Sequence, residues 1–258
     1  MRGTTSIGQP SQGVLAASLL MLISSAVPGL AQSEDRWTIS IGGGLLAVSE
    51  HSAEGLEFDH RLFGSEQGEF DVDYAGGDAA RHGFSVGVRL RKRLALELTQ
   101  TESSLTDNVD IAARLPHPFF HDTYRTVDGN SGGLSRDETA LHLSLKWLVR
   151  DGEKVQLGLF AGPSRIDLDY DRVSAVRFNQ TYPFDVASYA GVEHRTASGD
   201  AIGFHVGADV VRWLGKTIGL GLSIRFSEAE IDLDAADGST VSVNAGGPAA
   251  AADLRFRF

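Results

Sequence analysis

Strict alternation of apolar and polar residues is the feature that most limits what this chain can fold into. It begins at Arg36 and recurs to the last residue, and its period of two predicts strands, whereas amphipathic helices have a period of 3.6. Eight segments carry it, with apolar members Trp37, Ile39, Ile41; Phe84, Val86, Val88, Leu90; Leu94, Leu96, Leu98; Leu141, Leu143, Leu145, Trp147; Val155, Leu157, Leu159; Ile202, Phe204, Val206, Ala208, Val210; Ile218, Leu220, Leu222, Ile224, Phe226; and Leu254, Phe256, Phe258. The sequence therefore predicts an all-β chain of eight strands.

The connections between these segments alternate between short and long. The short ones fall at residues 91–93, 150–153 and 214–216, and the long ones at about 49–82, 103–137, 167–200 and 227–247. This layout predicts an antiparallel up-and-down transmembrane β-barrel with short periplasmic turns, four long extracellular loops and both termini on the turn side. An even strand count closes such a sheet without leaving an unpaired edge in lipid.

Alternation alone leaves open which face of the sheet is inside. A lipocalin-type barrel also has eight strands, but its apolar face points inward. The polar face of this chain consists largely of Gly, Ser, Ala and Thr with scattered charges, which suits the narrow interior of an eight-stranded barrel better than a water-exposed surface. We therefore expect the apolar face to contact lipid.

The first 31 residues have the pattern of a Sec-type signal peptide. An apolar run from Val14 to Ile23 is too short to span a membrane, and Gly29 and Ala31 place small residues where a signal peptidase cleaves. We predict cleavage before Gln32, with residues 32–258 forming the barrel domain. The alternative is a buried N-terminal helix.

Composition excludes several classes of function. The chain has no cysteine, so disulfides, thiolate metal sites and cysteine nucleophiles are ruled out. A net charge of −11 argues against nucleic acid as a partner. Nucleotide-binding loops and zinc-ligand spacings are missing from the sequence, and we predict no cofactor and no dedicated metal centre.

Aromatic residues mark the predicted periplasmic ends of the strands. Trp37, Trp147 and Trp213 all fall at this level, as expected of an aromatic girdle at a bilayer interface. The chain ends on Leu254, Phe256 and Phe258, in phase with the last strand. This ending resembles the C-terminal signal that directs Gram-negative barrels to their assembly machinery.

With the signal peptide and the eight strands, the chain resembles small Gram-negative outer-membrane β-barrels of the OmpA/OmpX/OmpW-like superfamily. The resemblance covers nearly all of residues 36–258. It implies an integral protein of the cell outer membrane, with lipid, lipopolysaccharide and the barrel assembly machinery as partners.

If the apolar face meets lipid, mixed charges line the lumen. The predicted lumen charge network consists of Arg89, Glu97, His142, Lys146, His205, Asp209, Arg225, Asp253, Arg255 and Arg257. Unpaired buried charges are costly, so we predict a salt-bridge network that plugs the barrel, with a polar conduit as the alternative. After Gly162-Pro163 and again after Phe226 the apolar residues change parity, which we interpret as bulges that re-aim the strands. We infer from them that these strands rise beyond the lipid band into the outer space.

The four long loops hold 25 of the 34 acidic residues against 8 Lys or Arg. Acidic groups such as Asp71-Val72-Asp73 and the Asp167–Asp171 stretch offer oxygen ligands, which makes divalent cations candidate partners of the loops. Neither stretch has the Gly and distal Glu of an EF-hand loop, so a solvated acidic rim is the favoured interpretation. Aromatic residues in the second and third loops, among them Phe119 and Tyr182, are candidate binding anchors.

Three functions follow. The first is a non-enzymatic barrel that presents acidic loops for surface stability, adhesion or binding. The second is a small channel or transporter for ions or apolar solutes. The third is a lipid A hydrolase, because His142 and Ser144 lie on one strand face and resemble the His-x-Ser element of lipid A deacylases. The lumenal phase of this pair and Gln156 at the position of the orienting acid count against catalysis, so we predict that the protein is not an enzyme.

Overall fold

The computed structural model describes residues 36–62, 66–234 and 240–258. The predicted signal peptide lies outside the described residues. In the described ranges no helix is long and apolar enough to cross a membrane. The strands are β1 Trp37–Val48, β2 His51–Leu62, β3 Glu66–Tyr74, β4 Gly77–Arg91, β5 Leu94–Pro116, β6 Tyr124–Asp151, β7 Val155–Gln180, β8 Ala187–Trp213, β9 Ile218–Asp234 and β10 Thr240–Arg257.

Eight of these strands close into a ring. The order around it is β5-β4-β1-β10-β9-β8-β7-β6, and β6 pairs back onto β5. The first and last strands join through two backbone hydrogen bonds, in which Trp37 N–H donates to the Phe258 carbonyl at 2.8 Å and Phe258 N–H to the Trp37 carbonyl at 3.0 Å. Every strand pairing in this ring is antiparallel. The predicted eight-stranded antiparallel barrel is confirmed.

Most residues of the four predicted long loops belong to strands, so the strands extend beyond the apolar band, as inferred from the parity changes, and the connections are shorter than expected. β6, β7 and β8 are 28, 26 and 27 residues long, well beyond the 9–11 that a bilayer requires. β2 and β3 pair as a hairpin, and β3 extends the barrel wall by pairing with the upper part of β5, where Tyr74 faces Val109. The connections in the described residues shorten to 117–123 and 181–186.

The parity changes in the sequence are not bulges. Leu159 pairs with Ala208 and Ile166 with Ala201, so β7 and β8 keep one register across Gly162-Pro163. β9 and β10 likewise keep one register from Ile218 to Leu233. Each strand keeps the same face inward along its whole length. Before the parity change its apolar residues point outward and its polar residues inward, and after the change this is reversed.

This exchange divides the barrel into two regions. The belt is the part of the barrel nearer to the short turns, which we call the lower part, and its outer face is apolar. Its exposed large residues include Ile41, Leu96, Leu143, Leu145, Leu159, Ile202, Phe204, Leu220, Leu222 and Ile224. The projection is the upper part, whose apolar core lies inside the wall and includes Phe70, Val72, Ile111, Leu115, Leu134, Ile166, Leu168, Tyr170, Ile231 and Leu233. Because Leu143 and Leu220 face outward, the lipocalin-type alternative is excluded.

Charged residues on the outer face mark the upper limit of the belt. His82 contacts Glu102 at 3.1 Å, and Arg165 contacts both Asp167 and Asp200 at 3.3 Å. Below this level the outward apolar run of β9 extends from Ile218 to Phe226. Nine residues at about 3.3 Å each, tilted by about 40°, give a band of roughly 23 Å, close to the ~25 Å of membrane barrels.

Candidate functional site

A buried ion-pair cluster crosses the lumen of the belt. Lys146 Nζ contacts Glu97 Oε2 at 2.9 Å and Asp209 Oδ2 at 2.6 Å. Arg255 Nη1 donates to the same Asp209 oxygen at 2.6 Å, and its Nε donates to Asp253 Oδ2 at 3.0 Å. Four strands, β5, β6, β8 and β10, are linked in this way, so the cluster ties separate parts of the wall together across the lumen.

The remaining predicted charges lie around the cluster. Arg225 stacks on Phe160, with its guanidinium carbon 5.3 Å from the ring centroid, and supplies a third positive charge against the three carboxylates. Arg89 pairs with Asp151 at 2.6 Å at the partly exposed lower rim. Arg257 lies outside the cluster, where it donates to the Lys216 carbonyl and stacks over Trp213.

Above the cluster, two histidines and two serines form a buried hydrogen-bonded chain. Ser164 Oγ lies 2.7 Å from His142 Nδ1 and 2.8 Å from His205 Nδ1, and Ser144 Oγ lies 2.8 Å from His205 Nε2. His142 Nε2 contacts Arg81 at 3.3 Å. His142 and Ser144, weighed in the sequence as a candidate catalytic pair, do not bond to each other: His142 contacts Ser164 on β7, and Ser144 contacts His205 on β8.

The histidine–serine chain has no access to a substrate. His142, Ser144, Ser164 and His205 are each at most 1 % exposed. A cavity of about 70 Å³ lies nearby, lined by Arg81, Ser85 and Arg225 among others, and it is large enough for only a few waters. A lipid-cleaving group must meet the bilayer, which the inward direction of these side chains prevents.

The tryptophans do not form one girdle. Trp147 is 53 % exposed on the outer face of the belt, and Trp37 is half-buried at the start of β1. Trp213 is only 5 % exposed, and the guanidinium of Arg257 lies 4.1 Å from its ring centroid. Placing Trp213 in the girdle was wrong because it shares the inward parity of Asp209 on β8. It lies at the base of the lumen.

The predicted assembly signal lies on the last strand of the ring. Leu254 and Phe258 are exposed on the outer face, and Phe256 is half-buried there. Phe258 also closes the ring through its backbone bonds to Trp37.

The barrel wall opens where the belt meets the projection. β1 pairs with β10 only as far as Leu46 and Ala249, and above this level the described part of β10 pairs with β9 alone. Gly246 and Gly247, with φ of 93° and 131°, lie at the point of separation, where a β-carbon at Gly247 would meet the Ala47 carbonyl. A cavity of about 340 Å³ occupies the opening.

Both apolar and polar groups line this wall opening. Phe226 and Pro248 lie on its outer side, and Tyr74, Arg136 and Tyr170 on its inner side. Arg136 donates to the Asn244 carbonyl at 2.9 Å, which ties the loose end of β10 to β6 across the barrel. Burial raises the pKa of the Tyr74 and Tyr170 phenols, so both stay neutral donors at physiological pH.

Aromatic residues cluster at the outer end of the projection. We call this group the tip; it consists of Phe119, Phe120, Tyr182 and Phe184. Phe119 packs edge-on against Phe184 at 5.4 Å between ring centroids, while Phe119, Phe120 and Tyr182 stay more than half exposed. Arg125 holds the two connections together by donating to Gln180 Oε1, the Phe184 carbonyl and the Pro116 carbonyl.

The acidic groups noted in the sequence do not converge. Asp71, Asp73, Asp167 and Asp169 are exposed on the outside of the wall. Asp171 is buried and accepts hydrogen bonds from Ser135 and Thr196. Although burial alone would raise its pKa, these hydrogen bonds lower the pKa of Asp171. Within the described ranges, the only group of three potential metal ligands is Glu66, His121 and Asp122.

No protein-family model and no curated protein sequence matches the chain. Among solved structures, it is similar to the outer membrane protein OprG from Pseudomonas aeruginosa, with 10 % identity over 88 % of this chain and 98 % of that one and a TM-score of 0.48. It is also similar to the outer membrane protease OmpT from Escherichia coli, with 8 % identity, coverage of 86 % and 97 %, and a TM-score of 0.47. A third is Ail, the attachment invasion locus protein of Yersinia pestis, with 12 % identity, coverage of 87 % and 100 %, and a TM-score of 0.38.

The chain has the architecture of a small outer-membrane β-barrel. This conclusion rests on its own closed ring and apolar outer face, and it agrees with the resemblance noted in the sequence.

Several residues of these sites escaped sequence reasoning. Ser164 and Arg81 belong to the histidine chain, and Arg136 lines the wall opening, yet all three fall at or beyond the supposed strand ends. Continued alternation on the outer, polar face of β7, as in Arg165, Asp167 and Asp169, was the available signal for a longer strand.

Proposed function

We propose that this chain is an integral, non-enzymatic outer-membrane barrel that carries a β-projection into the extracellular space for surface binding. The exchange of polar and apolar faces along unbroken strands supports this proposal, because only a bilayer around the belt and water around the projection suit both outer surfaces. Lipid and lipopolysaccharide are its proposed partners along the belt, and the assembly machinery is the proposed partner of Phe258.

Location and orientation are tested together. Cells that express the full chain should retain it in the outer-membrane fraction, and the protein should migrate differently on gels before and after boiling. Protease added to intact cells should cut within 117–123 or 181–186 and leave the belt intact. Recovery of the protein from the soluble periplasm, or cleavage only after the outer membrane is permeabilised, would contradict the proposal.

The tip is the observation that favours binding. Three aromatic side chains stay exposed on a rigid support, where the Arg125 hydrogen bonds hold both connections. Aromatic residues are frequent anchors of protein interfaces because they offer a large contact area with little side-chain entropy to lose. We infer that the tip contacts a macromolecular partner and that the acidic wall around it steers or repels that partner.

Two triple variants separate the tip from the wall. In the first, Phe119→Ser, Phe120→Ser and Tyr182→Ser remove the aromatic anchors. In the second, Asp110→Ala, Asp128→Ala and Glu230→Ala remove three exposed acids from the wall. Adherence is measured on epithelial cells and on immobilised extracellular matrix. Cells that carry the tip variant should adhere at least tenfold less than cells that carry the wild type. In the wall variant, mainly the salt dependence of adherence should change. Equal adherence of the tip variant and the wild type would exclude the tip as the binding surface.

Catalysis has no support in this geometry. The histidine–serine chain is buried in the lumen, and its serines bond to histidines on other strands. We expect Ser144→Ala to leave the lipid A mass spectrum unchanged. A spectrum that differs between cells with the wild type and cells with the variant would restore the hydrolase hypothesis.

The wall opening favours a second candidate function, entry of a small apolar solute. It lies beside Phe226 and Pro248 at the upper edge of the belt, so a solute could leave the barrel sideways into lipid without passing the ion-pair cluster. The chain has no cysteine of its own, and Ser49 and Asn244 both line the opening, so Ser49→Cys with Asn244→Cys can be tested as a reversible disulfide clasp, with bond formation checked by thiol titration.

Vesicles that contain the double-cysteine protein should take up octane when the disulfide is reduced. The rate of octane uptake should fall at least fivefold when the disulfide is oxidised. Single-cysteine variants are the matched controls and should ignore the oxidant. Planar bilayers should show no ion conductance in either state, because the ion-pair cluster crosses the lumen. Uptake that is insensitive to the clasp would remove this candidate, whereas steady conductance steps would revive the ion-channel alternative.

A further inference from the structure

We propose that Glu66, His121 and Asp122 form a binding site for one divalent transition-metal ion at the outer end of the projection. Glu66 begins β3, whereas His121 and Asp122 lie in the connection between β5 and β6, so the site joins two segments that are more than 50 residues apart in sequence. One ligand atom from each side chain lies within 4.8 Å of the other two.

The buried carboxylate of Glu66 is the strongest observation. Glu66 is only 4 % exposed, and its Oε1 accepts a hydrogen bond from the backbone N–H of Asp122. Its second oxygen, Oε2, is buried and has no hydrogen-bond partner among the residues that the structure describes. A buried carboxylate oxygen that lacks a partner is costly, and a bound cation would satisfy it.

The other two ligands lie at distances that suit a metal ion. His121 Nε2 lies 3.7 Å from Glu66 Oε1, whereas the other ring nitrogen, Nδ1, lies 3.1 Å from Asp122 Oδ2. Because an imidazole binds one ion through one nitrogen, the Asp122 side chain has to rotate to share an ion with Nε2. Ligands on a tetrahedral ion with bonds of about 2.0–2.2 Å are separated by roughly 3.3–3.6 Å. The side chains of His121 and Asp122 are exposed, so small rotations are enough to bring their ligand atoms onto one ion.

The donor set selects the class of metal. An imidazole nitrogen with two carboxylates suits Zn²⁺ and related transition metals, whereas Ca²⁺ and Mg²⁺ prefer oxygen-only sets with six or more ligands. Three protein ligands leave at least one position for water. The ion would brace the connection that carries Phe119 and Phe120, but the site does not depend on what the tip binds.

The test uses the mature chain without a histidine tag, refolded in detergent and titrated with ZnCl₂ by calorimetry. We expect one saturable site per chain. Glu66→Gln, which keeps the shape and removes the charge, and His121→Ala should each weaken Zn²⁺ binding at least tenfold. His82→Ala is the matched control, since His82 also lies beside a carboxylate, Glu102, at 3.1 Å but lacks a third ligand; it should bind as the wild type does.

Co²⁺ provides an independent readout, because a bound ion gives visible absorption bands that should be absent in Glu66→Gln. Calcium at a hundredfold excess should not displace it. Heat-modifiable migration of each variant shows that the barrel has formed. The proposal fails if the wild type binds no Zn²⁺ saturably, if Glu66→Gln and His121→Ala bind as tightly as the wild type, or if Ca²⁺ competes as an equal.

Discussion

β9 passes through both regions of the barrel and shows what separates them. In the belt its outward residues are Ile218, Leu220, Leu222, Ile224 and Phe226; in the projection they are Glu228, Glu230 and Asp232. Its inward residues change in the opposite sense, from Gly219, Gly221, Ser223 and Arg225 to Ala229, Ile231 and Leu233. Register and facing stay constant throughout.

The comparison shows that a strand can exchange its apolar and polar faces without changing its register or which face is inward. The proposed membrane location explains the exchange: lipid outside the belt would leave the polar groups to the lumen, where they must pair with one another. Water outside the projection would allow its interior to be an ordinary apolar core. The two regions are therefore stabilised by different interactions, and mutations should separate them.

The largest effect should come from the lumen of the belt. Asp209→Asn removes the carboxylate that bridges Lys146 and Arg255 and leaves two buried cations short of a partner. We expect a loss of about 3–5 kcal/mol in the free energy of unfolding, measured by guanidinium titration in lipid vesicles. Asp200→Asn, which removes an exposed pair with Arg165, should cost about 0.5 kcal/mol or less. Similar losses in both variants would show that the cluster does not brace the lumen.

The core of the projection should respond to loss of apolar volume. Ile231 is fully buried, and Ile231→Ala should cost about 2–5 kcal/mol. Its neighbour Glu230 points outward, so Glu230→Ala should change stability by about 0.5 kcal/mol or less. Protease sensitivity of the projection on intact cells should rise only in Ile231→Ala. A rise in Glu230→Ala alone would mean that the facing of β9 is reversed.

The outer face of the belt should reject charge. Leu222→Arg places a cation against acyl chains and should cost about 2–4 kcal/mol in lipid vesicles. Glu230→Arg, on the same face of the same strand in the projection, should cost about 0.5 kcal/mol or less because water solvates it. If both variants fold into bilayers with equal stability, no lipid surrounds the belt.

Acid should remove the stabilisation that Asp171 gives to the projection. The folded state holds the pKa of Asp171 below its ordinary value of 3.8, so as the pH falls the unfolded chain takes up the proton first. The stabilisation is present above the unfolded pKa and is lost as the pH falls through the folded pKa. Asp171→Asn should cost about 1.5–3 kcal/mol at pH 7, and the difference from the wild type should shrink below about pH 4. A difference that stays constant down to pH 2 would contradict this assignment.

Much of the architecture could be predicted from the sequence because alternation reports the faces of a strand directly. Eight strands, their closure and the outward direction of Leu143 and Leu220 followed from it. The contacts among the site residues could be predicted less well from the sequence. Parity placed Glu97, Lys146, Asp209 and Arg255 in the lumen, but their pairing depends on the register between strands, which alternation does not report.

The errors share a physical origin. The parity change at Ile166, Leu168 and Tyr170 predicts a bulge only if a strand keeps its apolar residues outside along its whole length, and the register of β7 is unbroken there. Trp213 lies near a strand end, where a girdle tryptophan is expected, but its parity with Asp209 directs it inward. In both cases the chemistry of a residue was given more weight than its position along the strand.

The sequence by itself determined the alternation, and with it a closed sheet with one apolar and one polar face in the belt, because side chains of successive strand residues must point to opposite sides. Only the tertiary structure decided where the surrounding solvent changes, which charges pair across the lumen, and that Glu66 meets His121 and Asp122. These depend on register and on distances between strands far apart in the chain, and both are settled only when the ring closes.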